Sequence, residues 1–215
     1  MTIPFRLAKM WFPFWKKRKN APLLLPDQWI LVPLGNPGND YTCTRHNLGR
    51  LLLQRWMDDH CLKPVVIHNF VYGTLYSLND TLTVLVPSTY MNLSGKVLVE
   101  AVRNGFATER MVVIYDDKDL PLGIGRLSKN GSSAGHKGLQ SIIDEIGNDG
   151  FIRLRLGIGP FQRPLSEWVL GEWTPDEWGL IENMDSGFLK FISALMDNHT
   201  VNDMQNLVNN PAFWQ

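Results

Sequence analysis

Short apolar runs alternate with amphipathic stretches along the chain from residue 29 onwards. Runs rich in Val, Ile and Leu predict buried strands, whereas apolar residues spaced three and four apart predict helices. We therefore predict strands over 29–34, 65–78, 80–88, 111–117, 124–130 and 151–159. Helices are predicted over 47–60, 92–106 and 139–146, and the pattern is helical from about residue 168 to residue 215.

This alternation predicts an α/β protein, with helices on both faces of a mixed, twisted sheet. The second and third strands are expected to form an antiparallel pair around Asn79 and Asp80. With 215 residues, 44% of them hydrophobic, the chain is long enough for one domain with a sizeable core. We place that domain at 26–215, after a basic leader over 1–25.

The first twenty residues differ in composition from the rest of the chain. They carry Lys and Arg but no acidic residue, which is typical of a mitochondrial presequence. The same stretch lacks serine and contains Pro4 and Pro13, which interrupt helices. A basic arm that is disordered or binds a surface therefore remains an alternative, and the predicted location is mitochondrial or otherwise cytoplasmic.

Charge and cysteine content narrow the classes of function. The formal net charge is zero, so any contact with nucleic acid must come from a local basic patch. Cys43 and Cys61 fit neither a disulfide framework nor a metal-ligand spacing, which favours a reducing compartment. No apolar run reaches the length of a membrane span, so no membrane association is expected.

Polar groups cluster in the loops that follow three of the predicted strands. These loops are 35–47, 88–95 and 115–123, and a fourth, glycine-rich loop over 131–138 enters a helix. Because strands of an α/β sheet can end at a common edge, these loops are expected to form one pocket.

His46 is the natural proton acceptor in this set, since histidine ordinarily changes charge near neutral pH. A carboxylate at a strand end, such as Asp116, can orient it by accepting a ring N–H. Asn36, Asn47 and Asn92 offer uncharged donors and acceptors for a carbonyl or a ribose hydroxyl. Each residue taken alone also fits a structural role, as a helix cap or a turn.

Other chemistries are weaker. The loop 131–138 lacks the spacing and the Ser/Thr of a phosphate-binding loop, so that motif is excluded. Asp116, Asp117 and Asp119 offer carboxylates to Mg²⁺, but no phosphate loop accompanies them. Cys43 lies three residues before His46, a spacing that rarely gives the geometry of a nucleophile and its base.

Five blocks of the sequence resemble the signature blocks of the bacterial-type peptidyl-tRNA hydrolases, a family of bacteria and mitochondria. The blocks are "GNPGNDYTCTRHNLG", "STYMNLSGK", "DDKDLPLG", "GHKGLQSIIDEIG" and "FIRLRLGIG". They run in the family's order over about residues 29–175. The resemblance implies a three-layer α/β/α sandwich and a generally monomeric protein. It also implies peptidyl-tRNA as the partner and no metal or other cofactor.

The implied reaction is cleavage of the ester between a peptide and the 3′-terminal ribose of tRNA. His46 matches the catalytic base of the family, and Asp116 matches the aspartate that holds and polarises it. Asn36 matches the asparagine that contacts the substrate near the scissile ester.

The remaining matches concern the two ends of the substrate. Met91 and Asn92 match the pair that positions the peptide and the attacking water, and Tyr41 and Tyr90 match aromatic positions at the tRNA end. Arg155 matches a basic residue that grips an acceptor-stem phosphate. Its usual lysine partner is replaced by Ser128, so we assign that role to the adjacent Lys129.

Lys137 departs from the family, which has asparagine at this position of the glycine loop. An ammonium only donates, whereas an amide donates and accepts. Lys137 can contact a carbonyl or oxyanion, bind the terminal phosphate, or repel positive charge on His46. The enzyme is favoured, and the alternative is a catalytically weakened RNA-binding relative, like the intron-splicing factors of this fold.

Overall fold

The computed structural model describes residues 28–161 and 164–215. The basic leader over 1–25 lies outside the described residues, and the domain boundary at residue 26 stays a prediction. The sheet has seven strands in the order β2-β3-β4-β1-β5-β7-β6. The strands are β1 (Trp29–Pro33), β2 (Val65–Asn69), β3 (Gly73–Ser77), β4 (Leu82–Pro87), β5 (Met111–Pro121), β6 (Gly125–Lys129) and β7 (Ile152–Gly159).

The sheet is mixed, as the sequence pattern predicts. The four central strands β4, β1, β5 and β7 are parallel, whereas β2, β3 and β6 join them in antiparallel pairs. The pairing of β3 with β4 confirms the predicted hairpin around Asn79 and Asp80. The parallel strands point their carboxyl ends at one edge of the sheet, where the polar loops lie.

Helices cover both faces of the sheet, which confirms the three-layer sandwich. The helices are α1 (Leu48–Asp59), α2 (Gly95–Arg103), α3 (Lys137–Ile146), α4 (Leu165–Leu170), α5 (Pro175–Met196) and α6 (Val201–Val208). Side chains from α1 and α5 pack on one face of the sheet, and side chains from α2 and α3 pack on the other. Alternate residues of β1 enter the two cores, because successive strand side chains point to opposite faces.

The structure corrects two of the predicted strands. The apolar stretch 65–78 is not one strand but two, β2 and β3, because the chain reverses at a turn closed by the bond from Phe70 N to Gly73 O, 2.8 Å. β5 continues to Pro121, four residues beyond the predicted end. Its carboxylates nevertheless lie at the functional edge, because β1 ends at Pro33 opposite Ile114 and leaves Asp116 beyond it.

Among the residues that the structure describes, no helix combines the length and apolar character needed to cross a membrane.

Candidate active site

A cleft of about 770 Å³ opens where the predicted loops meet. It is lined by eight of the residues singled out from sequence: Asn36, Tyr41, His46, Tyr90, Met91, Asn92, Asp116 and Lys137. They come from four separate segments, after β1, after β4, on β5 and at the start of α3. The parallel sheet therefore collects groups that are far apart in sequence.

Asp116 lies at the base of the cleft, with only 3% of its surface exposed. One of its oxygens, Oδ1, accepts from two imidazoles: it is 2.8 Å from His46 Nδ1 and 3.0 Å from His136 Nε2. Burial opposes ionisation of the carboxyl, but the two histidines outweigh burial and hold the pKa of Asp116 well below its usual range. Asp116 is therefore a carboxylate that receives two N–H donors.

The hydrogen bonds assign the protons of both rings. His136 is the N-cap of α3, and its Nδ1 accepts the backbone N–H of Leu139 at 3.1 Å. Its Nε2 must then carry the proton that Asp116 accepts. In His46, Nδ1 donates to Asp116, so Nε2 is the proton acceptor of the neutral ring on a side chain that lines the cleft. That arrangement is what a general base requires.

Asn36 is held by its backbone and by its side-chain oxygen. Its N–H donates to Asn47 Oδ1 (2.8 Å), and its carbonyl accepts from Asn47 Nδ2 (2.9 Å). Its side-chain Oδ1 accepts the backbone N–H of Met91 at 2.8 Å. The amide Nδ2 of Asn36 has no acceptor among the described residues, so it can donate to a ligand in the cleft.

The loop after β4 supplies the exposed part of the cleft. Met91 is buried, whereas Asn92 is exposed and its side chain makes no hydrogen bond within the described part of the chain. Tyr90 is 56% exposed and meets Tyr41 edge to face, with ring centroids 6.2 Å apart. These two rings form an aromatic rim on which a base or a side chain can pack.

Lys137 is the first residue of α3 and is exposed at the cleft. Its ammonium forms no hydrogen bond or ion pair within residues 28–161 and 164–215. The next residue, Gly138, lets the helix start come close to the loop after β4, because a side chain there would meet Met91 Sδ and Leu34. Lys137 is thus a cation available to a ligand in the cleft.

The two residues predicted to bind phosphate do not line this cleft. Arg155 lies on β7, where its Nε donates to Asp117 Oδ2 at 2.6 Å. Its cross-strand neighbour on β6 is Arg126, whereas Lys129 pairs with Ile152, whose side chain enters the core on the α1 side. The register therefore does not bring Lys129 and Arg155 together on one face.

Three features of the site were not assigned from sequence. His136 was noted only for its glycine-rich loop, and its contact with Asp116 depends on how that loop folds. Tyr115 packs edge-on against His136, with ring centroids 4.9 Å apart. Burial raises the pKa of Tyr115 to about 12 against the opposing charges of Arg155 and Arg153, so it is a neutral phenol. The third feature is α4, whose short amphipathic pattern gave no sign that it faces the cleft.

α4 forms one wall of the cleft through Leu165, Val169 and Leu170. Arg45, the residue before His46, fixes this wall. It donates to the carbonyl of Glu172 at 2.9 Å, and its guanidinium carbon lies 3.9 Å from the centre of the Trp168 ring. The chain segment that carries His46 is therefore tied directly to the wall opposite it.

His46, Asp116 and His136 also form the one cluster of potential metal ligands in the described part of the chain, with ligand atoms within 4.8 Å of one another. Their short contacts are satisfied as hydrogen bonds through ring protons. A metal ion at the shared oxygen would have to displace those protons, so the donor set suits proton transfer better than ligation.

Comparison with known proteins identifies the family. The family model for peptidyl-tRNA hydrolase matches residues 30–213. The chain is 39% identical over 189 residues to the peptidyl-tRNA hydrolase of Thermodesulfovibrio yellowstonii, covering 84% of this chain and 98% of that protein. It is 42% identical over 169 residues to the enzyme of Campylobacter jejuni, covering 79% and 91%.

A solved structure agrees with these sequence matches. The crystal structure of peptidyl-tRNA hydrolase from Acinetobacter baumannii superposes with a TM-score of 0.75 at 29% identity, covering 86% of this chain and 95% of that chain. The sequence matches span most of the chain and include every segment that lines the cleft. The chain therefore belongs to the peptidyl-tRNA hydrolase family.

Proposed function

We propose that this chain hydrolyses the ester bond between peptide and tRNA in peptidyl-tRNA, and that His46 is its general base. The observation that carries the assignment is the shared Asp116 oxygen, which fixes His46 with Nδ1 protonated and Nε2 free to accept a proton. The family to which the chain belongs supplies the substrate class.

In the proposed reaction, a water held near Asn92 transfers a proton to Nε2 of His46 while its oxygen bonds to the ester carbonyl carbon. The imidazolium that forms is stabilised by the Asp116 carboxylate. The bond from the carbonyl carbon to the ribose 3′ oxygen then breaks, and His46 returns the proton to that oxygen. The products are tRNA with a free 3′ hydroxyl and a peptide with a carboxylic acid end, which then loses its proton to solvent.

Charge on the carbonyl oxygen needs donors that are already in place. Nδ2 of Asn36 is such a donor, because the rest of that residue is immobilised by Asn47 and Met91. Lys137 offers a second, charged donor at the start of α3. Each donor of this kind is worth about 3 kcal/mol in the transition state.

The two ends of the substrate are assigned on chemistry. The aromatic rim of Tyr41 and Tyr90 suits stacking at the tRNA end, and Met91 suits an apolar peptide side chain. We assign acceptor-stem phosphate binding to Arg155, supported by its cross-strand neighbour Arg126 rather than by Lys129. The protein would therefore bind tRNA through a local basic patch despite its zero net charge.

Location and assembly remain proposals. The mitochondrial hypothesis depends only on the basic composition of the first twenty residues, and the relatives reported above are bacterial. Import of a leader-fused reporter into mitochondria is the direct test of that hypothesis. A monomer is proposed from the family, and analytical ultracentrifugation tests it.

The test of the proposed function is His46→Ala. Base catalysis contributes about 10²–10⁴ in rate, so kcat on peptidyl-tRNA should fall at least 100-fold while tRNA binding persists. His199→Ala, at an exposed position far along the chain, is the matched control. Near-normal turnover by His46→Ala would contradict the assignment of His46 as the general base. If the natural protein bound tRNA tightly but hydrolysed nothing, the RNA-binding alternative would hold instead.

A further inference from the structure

A second cavity, of about 270 Å³, lies beside the cleft. Asn36 is the one residue that lines both. Most of the wall of the second cavity is apolar and comes from α1, β3 and β4. Its polar side is formed by the loop after β1, by Arg50, the third residue of α1, and by the end of β4. Thr42 and Ser88 place hydroxyl groups in this wall. The cavity is therefore adjacent to the catalytic groups but separate from them.

Arg50 is the charged residue of this cavity, and no carboxylate pairs with it among the described residues. Its two terminal nitrogens donate to backbone carbonyls, Nη2 to Pro87 at 2.8 Å and Nη1 to Asn36 at 3.3 Å. Its Nε is buried without any acceptor. Gly35 makes room for the side chain, because a Cβ at that position would lie 2.7 Å from both Cδ and Nε of Arg50.

Three other arginines are compensated differently: Arg45, Arg55 and Arg155 each donate to a carboxylate. Arg153 resembles Arg50, because it donates to two backbone carbonyls and its Nε has no acceptor among the described residues. Burial alone lowers the pKa of Arg50 to about 10, so the side chain is still charged at neutral pH. Two carbonyls offset only part of the cost of desolvating a guanidinium. Unlike Arg153, Arg50 lines a cavity, in which an oxyanion would supply the compensation that Arg45, Arg55 and Arg155 receive from carboxylates.

We propose that Arg50 is the anchor of an accessory phosphate-binding site in this second cavity. A guanidinium binds phosphate oxygens through paired N–H donors, and the hydroxyls of Thr42 and Ser88 can complete the shell. Free phosphate and a phosphodiester near the 3′ end of tRNA share this chemistry. The second source rests on the proposed function, since it requires tRNA to be the substrate.

Occupancy of this site would act on the catalytic cleft through Asn36. The bond from Arg50 to the Asn36 carbonyl is long, at 3.3 Å, and is the weaker of the two carbonyl contacts. A phosphate that recruits Nη1 weakens this contact, while the two bonds between Asn36 and Asn47 remain. Phosphate binding at this site would therefore alter the position of Asn36, whose side-chain amide lines the cleft.

Inorganic phosphate binding to the intact, ligand-free protein tests the proposal by isothermal titration calorimetry. The measurement starts from the double variant Arg155→Gln with Lys137→Asn, which removes the two other candidate phosphate contacts named above. Saturable phosphate binding should persist in that background, weaken at least tenfold on adding Arg50→Gln, and be partly retained with Arg50→Lys. Thr42→Val, which leaves the buried charge in place, should weaken binding a few-fold and keeps the test valid if Arg50→Gln does not fold.

A second arm identifies the source of the phosphate. Binding of a CCA-ended RNA oligonucleotide is measured over a range of salt concentrations, with and without Arg50→Gln. The slope of log affinity against log salt concentration is compared between the two proteins. A slope that is smaller by about one in Arg50→Gln places a tRNA phosphodiester in the cavity. An unchanged slope, with inorganic phosphate binding lost, identifies a free phosphate. Unchanged phosphate affinity in Arg50→Gln and in Thr42→Val overturns the proposal. Because this readout needs no turnover, it stays distinct from failure of the His46 assignment.

Discussion

Asp116 is a buried carboxylate and Arg50 is a half-buried guanidinium, and they line neighbouring cavities that share Asn36. The protein compensates the two charges in opposite ways. Asp116 receives N–H donors from two histidines, which favour its charged form. Arg50 donates to two carbonyl oxygens and to no carboxylate among the described residues, and burial disfavours its charged form. Burial alone therefore does not indicate what a charged group does.

The difference lies in the binding capacity that each group has left. The Asp116 oxygen that contacts the histidines accepts from both of them, so its charge orients the two imidazoles rather than attracting a ligand. Arg50 keeps donor capacity and an adjacent cavity, so its charge is available to an anion. Asn36 lines both cavities, and its carbonyl accepts a hydrogen bond from Arg50.

The largest expected effect comes from removing the charge of Asp116. In Asp116→Asn the amide oxygen can still accept from both histidines, but the imidazolium formed during proton transfer loses its counter-charge. We expect kcat to fall by about 10²–10⁴ with little change in KM. Steady-state kinetics on peptidyl-tRNA checks this, with the exposed neighbour Asp119→Asn as control. Equal kcat in both variants would show that the compensated charge has no catalytic role.

Asn36→Ala tests the residue that the two cavities share. It removes the donor Nδ2 and also the acceptor of the Met91 N–H, so we expect a loss of about 10² in kcat/KM. Asn36→Asp separates the two functions, because it keeps the acceptor and lacks the donor. If kcat/KM for Asn36→Asp matched that of the natural protein, the amide would be a structural tie only.

The sequence predicted a mixed sheet covered by helices on both faces and the loops that line the cleft, because both follow from local patterns. Apolar runs identified most of the strands, and polar residues at strand ends identified Asp116 and the loop of His46. The turn at Phe70 was missed because residues 65–78 are apolar enough to continue a strand. Only tertiary pairing shows where the chain reverses.

Contacts that depend on register or on long-range folding could not be predicted in this way. Lys129 was preferred as the partner of Arg155, but strand alternation puts Arg126 on the same face. His136 reaches an aspartate twenty residues earlier in the chain. Arg50 looks like any polar residue of an amphipathic helix, and only the structure shows that no carboxylate within residues 28–161 and 164–215 pairs with it.

The free energy of unfolding in acid measures how strongly the two histidines stabilise the Asp116 carboxylate. The pKa of Asp116 is lowered in the folded protein, so the unfolded chain binds more protons in acid. The resulting stabilisation is complete above the ordinary pKa of a carboxyl group. It is lost progressively as pH falls from that value towards the lowered pKa. The natural protein should exceed Asp116→Asn in free energy of unfolding by about 1–3 kcal/mol at pH 5, and by less at pH 3. Urea denaturation at both pH values measures the difference. A constant gap would contradict the proposed charge compensation.

Replacing Lys137 has the smallest expected effect. Lys137 differs from Arg50 because it is an exposed cation at the cleft, whereas Arg50 is half-buried. Restoring the family residue with Lys137→Asn should preserve hydrolysis or raise it a few-fold, because an amide still donates to a carbonyl oxygen. The same change removes a positive charge from the N-terminus of α3, which should raise stability by at most about 1 kcal/mol.

The variant Lys137→Ala separates the possible roles of this lysine. A loss mainly in kcat would mean that the ammonium stabilises the oxyanion, whereas weaker tRNA binding with a shallower salt slope would mean that it attracts phosphate. A large gain of turnover in Lys137→Asn, from a nearly inactive natural protein, would contradict the expected active enzyme. It would mean that this chain has exchanged catalysis for RNA binding at a single position of its glycine loop.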